Sequence, residues 1–117
     1  MVLLQITFDL DPEIYGDGKH LDVSAVSENF PREQAEEMAA LPGLVWKLWT
    51  SQAAENRAAG FYLFATRNDA EHRLAWAQKH FPKVPGLTNV QGGIYDVMED
   101  LSRVTRGPVD LPANPSL

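Results

Sequence analysis

Eight residues between positions 46 and 95 are equipped to handle a small planar molecule: Trp46, Trp49, Asn56, Tyr62, Phe64, Trp76, His80 and Tyr95. The aromatic rings can stack on a flat ligand, while Asn56, Tyr62 and His80 bring hydrogen-bonding groups. An apolar cleft with a few placed polar groups is the usual form of a small-molecule site. The plainer reading of each aromatic is that it fills core volume. Other chemistries find less support. The histidines are His20, His72 and His80, with no HxxxH or HExxH spacing. His72 and His80 stand about 80° apart around one helix, so no metal site is expected. No G-x-S-x-G and no cysteine offers a nucleophile. Gly16-Asp17-Gly18 lacks the third glycine of a dinucleotide turn. The neighbouring acids Glu36 and Glu37, and Glu99 and Asp100, read as solvated helix residues rather than acid–base pairs.

The elements that must position these residues follow from period and punctuation. Residues 41–64, LPGLVWKLWTSQAAENRAAGFYLF, hold two short apolar runs bounded by Pro42-Gly43 and Gly60, and both read as strands. Alternation puts Leu44, Trp46 and Leu48 on one face of the first strand and Val45, Lys47 and Trp49 on the other. Both faces are mostly apolar, so this strand is expected to be covered twice, by helices on one side and by a second copy of the chain on the other. Residues 2–10 alternate cleanly, with Val2, Leu4, Ile6, Phe8 and Leu10 opposed to Gln5, Thr7 and Asp9. Residues 11–30 hold turn signals and no sustained period. A helix opens at Pro31, carries Ala35, Met38 and Ala39 inward, and stops at Pro42. A second helix is expected from an Asn68 N-cap with Glu71 completing a capping box, with Ala70, Leu74, Ala77 and Phe81 on one face. Trp76 falls on its flank, beside Arg73 and His80. Residues 87–97 form the last strand, where Gly92-Gly93 predicts a bulge or a close backbone approach. A short helix over 98–104 precedes a proline-rich tail, either disordered or laid over a partner.

The order strand, helix, strand, strand, helix, strand predicts a ferredoxin-like βαββαβ α+β domain over residues 1–105, with 11–30 as an irregular excursion and 106–117 as a C-terminal tail. Its four-stranded antiparallel sheet would carry the helices on one face. The 117 residues suffice for one modest core, and 44% hydrophobic with 22% charged content is ordinary for a globular protein. A net charge of −6 argues against a nucleic-acid partner, which needs a basic patch. The apolar start lacks a basic n-region, and no apolar run is long enough to cross a bilayer, so the expectation is a cytoplasmic protein without membrane contact.

The string PGLVWKLWT, then Asn56, then AGFYLF resembles the signature of the YdhR-type monooxygenases of the dimeric α+β barrel superfamily. AWAQKH at 75–80, YDV at 95–97 and LSRV at 101–104 match in the same order. The resemblance spans 41–104 and implies a homodimer joined sheet to sheet. It also implies oxygenation of a small aromatic, quinol-type substrate without a cofactor, the substrate supplying the electron once its proton is removed. Asn56, Tyr62 and His80 are then the catalytic candidates, as base or as donors to the developing oxyanion. Trp46, Trp49, Phe64, Trp76 and Tyr95 would bind the substrate. A non-catalytic, stress-associated binding dimer and an isomerase or lyase on the same barrel remain open, because fold does not fix function.

Overall fold

Strand β1, Val2–Leu10, owes its place at the centre of the molecule to its alternation. Val2, Leu4 and Ile6 are buried beneath the helices, while Leu3, Gln5 and Thr7 face the other way and are only half-buried. The computed structural model describes residues 1–16 and 32–115. Its further elements are α1 (Pro12–Tyr15), α2 (Arg32–Ala39), β2 (Leu44–Gln52), β3 (Arg57–Phe64), α3 (Arg67–His80), β4 (Leu87–Asp96) and α4 (Glu99–Val104). The sheet order is β2-β3-β1-β4 and every pairing is antiparallel. This is the ferredoxin-like α+β arrangement, with α2 and α3 on one face. The core between helices and sheet is built from Val2, Leu4, Ile6, Tyr62 and Phe64, capped by Met38 from α2 and Ala70 and Ala77 from α3.

Several local expectations need correcting. A bulge at Val45 shifts the β2–β3 register, so Leu44 pairs with Phe64 but Trp46 pairs with Leu63. Leu44 therefore joins Lys47 and Trp49 on the helix side, whereas unbroken alternation groups it with Trp46. The β1–β4 irregularity lies between Thr7 and Asp9, opposite Asn89 at φ 54°, rather than at Gly92-Gly93. Gly92 instead provides the close approach: a Cβ there would collide with Leu74 of α3 and stand 3.2 Å from the Gln5 carbonyl. The N-cap of α3 is Thr66, whose hydroxyl accepts from the Asp69 N–H, so the Asn68 capping box does not form. The stretch after β1 is not wholly irregular. Asp11 caps α1 through the Glu13 N–H, and buried Tyr15 donates to the Pro85 carbonyl at 3.0 Å. The expectations for Asp17, Gly18, His20 and Pro31, and for 17–30 in general, fall outside the described residues.

Past α4 the chain returns to β2. The Gly43 N–H donates to the Asn114 carbonyl at 3.0 Å, the Asn114 N–H to the Leu44 carbonyl at 3.2 Å, and the Trp46 indole to the Pro108 carbonyl at 3.0 Å. Val109 is buried there. Elsewhere on the outer sheet face Leu48 and Tyr95 are each 56% exposed, so the described residues do not cover β2 fully on both sides.

Candidate functional site

The site is built on the inner face of β2 and β3. Lys47 pairs with Tyr62 across the strands and Trp49 pairs with Gly60. Glycine at 60 is what admits the lysine: a Cβ there would stand 3.0 Å from Lys47 Cε and 3.1 Å from Tyr62 Cε1. From above, α2 brings Met38 and α3 brings Trp76 and His80. Together they enclose a cavity of about 730 Å³ whose lining is mainly apolar. That volume lies within the range of ordinary small-molecule pockets. Among the described residues no Asp or Glu lines it, while Lys47 and Arg32 do.

Lys47 is the unusual group. Its Nζ lies 3.0 Å from the Met38 sulfur, 3.4 Å from the centre of the Trp49 ring and 4.7 Å from that of Tyr62. No described carboxylate pairs with it. Aromatic faces favour an ammonium by roughly 0.5–2 kcal/mol, but loss of hydration outweighs this. Burial first, and repulsion from Arg73 second, lower its pKa from 10.5 to about 7. Burial also raises the Tyr62 hydroxyl, and Arg73 partly opposes that rise. Arg73 stands behind Tyr62, with its guanidinium carbon 5.8 Å from the Tyr62 ring and 4.1 Å from Trp76. It is 9% exposed, and its Nε has no partner among the described residues.

Four of the eight sequence candidates meet at this cavity: Trp49, Tyr62, Trp76 and His80. The Trp76 and His80 rings lie 4.8 Å apart, one helical turn from each other. Trp46 takes the opposite face of β2 and lines a smaller recess with α2 and Asn114. Phe64 is buried, stacked near Tyr62 at 6.0 Å, and touches a separate hollow by Leu41 and Arg73. Tyr95 lies on the outer face opposite Leu3. Asn56 holds the β2–β3 turn in the left-handed region, φ 51° and ψ 48°, and its carbonyl accepts the Leu10 N–H at 2.7 Å. Asparagine tolerates that backbone better than most residues. Sequence reasoning missed Lys47 and Arg73. The available signal was a lysine set between tryptophans in a strand with few other polar residues.

Among the described residues, no group of three His, Cys, Asp or Glu is placed to hold a metal ion, and no helix is long and apolar enough to cross a membrane.

A single antiparallel sheet, helices on one face and an aromatic cavity between the layers define a small ferredoxin-like α+β domain with a ligand-sized pocket. The family described as "Putative mono-oxygenase ydhR" matches residues 3–108, and the chain belongs to that family. A crystal structure of a Deinococcus radiodurans protein described as a "putative antibiotic biosynthesis monooxygenase" superposes with a TM-score of 0.57 at 12% identity, covering 83% of this chain and 92% of that one. A crystal structure of an Agrobacterium tumefaciens protein gives 0.47 at 17% identity, covering 82% and 92%. No curated protein matches the chain. The first likeness supports the fold; the family match carries the monooxygenase assignment.

Proposed function

We propose that this chain is a cofactor-independent monooxygenase acting on a small phenol- or quinol-type substrate in the cavity between sheet and helices, and that it works as a homodimer. The observation that carries the reading is the convergence of Trp49, Tyr62, Trp76 and His80 on one apolar cavity of substrate size. The rings offer faces on which a planar substrate can stack. A deprotonated phenol is electron-rich enough to reduce dioxygen directly. One oxygen atom enters the ring and the other leaves as water, the two electrons and two protons coming from the substrate. The Tyr62 hydroxyl, kept protonated by burial, donates to oxygen atoms that gain negative charge. His80 stands beside Trp76 as a second proton-handling group. Asn56 holds the β2–β3 turn and is assigned no contact with substrate.

Oxygen uptake with a panel of quinols, measured against boiled protein to subtract autoxidation, tests this. Tyr62→Phe should lower the rate about tenfold or more while costing less than about 1.5 kcal/mol in stability. A folded protein that binds aromatic ligands yet consumes no oxygen above background with any quinol would make it a binding module instead.

A further inference from the structure

We propose that Lys47 is the proton acceptor of this site: its amine takes the acidic proton of a phenol bound in the cavity, and the resulting ammonium holds the phenolate. The inference rests on the phenol- or quinol-type reading above and deepens it by naming the base. Three structural observations carry it. Lys47 lies on the inner face of β2 and lines the cavity, with Gly60 of β3, the residue paired with Trp49, leaving room for its stem. Its nitrogen is packed against a thioether sulfur and two aromatic faces, none of which can take its proton. No described acid lines the cavity, so an anion formed there has Lys47 as its natural counter-ion.

The other charged or titratable groups around it are few. Among the described residues, Arg73 on α3 repels its ammonium, Tyr62 on β3 and Tyr15 on α1 are held protonated by burial, His80 on α3 lines the same cavity, and Arg32 on α2 is engaged with Glu36 at 3.5 Å. An ordinary lysine amine is neutral in only about one molecule in three thousand at pH 7. Here burial lowers the value to about 7, so neutral amine is plentiful near neutrality. The step balances simply: the substrate O–H bond breaks, an N–H bond forms on Lys47, and the electron pair stays on the phenolate oxygen. The ammonium–phenolate pair is stronger against these apolar walls than in bulk water, which keeps the anion in place for dioxygen.

The test uses 4-nitrophenol, whose anion absorbs visible light, on the full chain and on Lys47→Met and Lys47→Arg, each first shown to be folded by circular dichroism. At about pH 7, where about half of Lys47 is neutral amine and much of the free nitrophenol still holds its proton, the unsubstituted protein should bind the probe and raise its anion band. Lys47→Met should reduce bound anion about tenfold or more. Lys47→Arg should keep anion binding, because it retains a cation, but lose quinol-driven oxygen uptake about a hundredfold, because guanidinium cannot accept a proton. The rise of oxygen uptake with pH near 7 should vanish in Lys47→Met. The assignment is overturned if the unsubstituted protein does not ionise the probe, if Lys47→Met ionises it equally well, or if Lys47→Arg keeps both rate and pH profile. Ionisation of nitrophenol without oxygen uptake from any quinol would sink the monooxygenase reading and leave Lys47 as the counter-ion of a bound phenolate. Oxygen uptake indifferent to both Lys47 substitutions would do the reverse.

Discussion

Burying Lys47 with no acid beside it among the described residues makes the stability of the fold depend on pH. Its folded pKa lies near 7 against an ordinary 10.5, so the protonated form is the one that folding penalises. Below about pH 7 both folded and unfolded chains hold the proton, and the native state carries the full penalty. Between about 7 and 10 the unfolded chain binds a proton that the native state does not, so stability rises with pH. The shift corresponds to a change on the order of 3–5 kcal/mol. Tyr15 and Tyr62, both raised by burial, work the other way above their ordinary 10.0, since the unfolded chain ionises first. Maximum stability is therefore expected on the alkaline side, below about pH 10. Urea unfolding at several pH values should show this rise, and Lys47→Met should raise stability at neutral pH and flatten the slope. A slope left unchanged by Lys47→Met would mean that the amine is hydrated in the folded chain. The same lysine thus carries a stability penalty where the chemistry needs a neutral amine, as strained or desolvated groups at functional sites often do.

At the level of elements, the depth of the cavity depends on how closely α3 rests on β4. Gly92 sets that distance, because any side chain there meets Leu74 and the Gln5 carbonyl. Gly92→Val should lift α3 and destabilise the fold by about 1–3 kcal/mol. Trimming Leu74 to Ala removes the obstacle, so the double variant should be less destabilised than the sum, by about 1 kcal/mol in urea titrations. Strict additivity would show that the helix does not rest on this contact. The close approach at Gly92 was legible in the sequence, since a glycine pair inside a strand signals either a bulge or a neighbour. Which of the two could not be read, because the deciding atom belongs to α3, well before it in the chain. The same limit explains the other departures. Thr66 and Asn68 are both acceptable caps with an acid three residues on, and the end of β3 at Phe64 makes Thr66 the one that lies at the turn. The bulge at Val45 leaves no mark on local composition, yet it moves Leu44 to the other face. The aromatic half of the site was legible because tryptophans are rare and well spaced. Lys47 was not, because a lysine in a strand ordinarily faces water, and the room left by Gly60 on β3 together with Met38 of α2 reverses that.

At the scale of the whole molecule, the sheet has one face closed by α2 and α3 and one face left largely bare. Leu48 and Tyr95 are each 56% exposed there, with Leu3 and Phe61 half-buried between them. The tail covers only the margin near Trp46 and Val109. Elsewhere α4 exposes Leu101 at 65% and Val104 at 76%. Apolar side chains gathered in this way on an otherwise acidic protein mark an interaction surface. A second copy is the simplest occupant, because a twofold axis lets the same patch serve both partners. That symmetry also sharpens the test, since one substitution enters the interface twice. Leu48→Lys would place two like charges in a desolvated seam. Its effect within one chain is small, because the residue is exposed on β2 and belongs to neither core cluster. Sedimentation at micromolar concentration should therefore show a dimer for the unsubstituted chain and a folded monomer for Leu48→Lys, with circular dichroism unchanged. Trp49→Ala, on the opposite face and 44% exposed at the cavity, should leave the dimer intact while weakening aromatic ligand binding. An unsubstituted chain that stays monomeric would remove the dimer and leave the site standing, because every group proposed to touch substrate comes from the helix side of one chain.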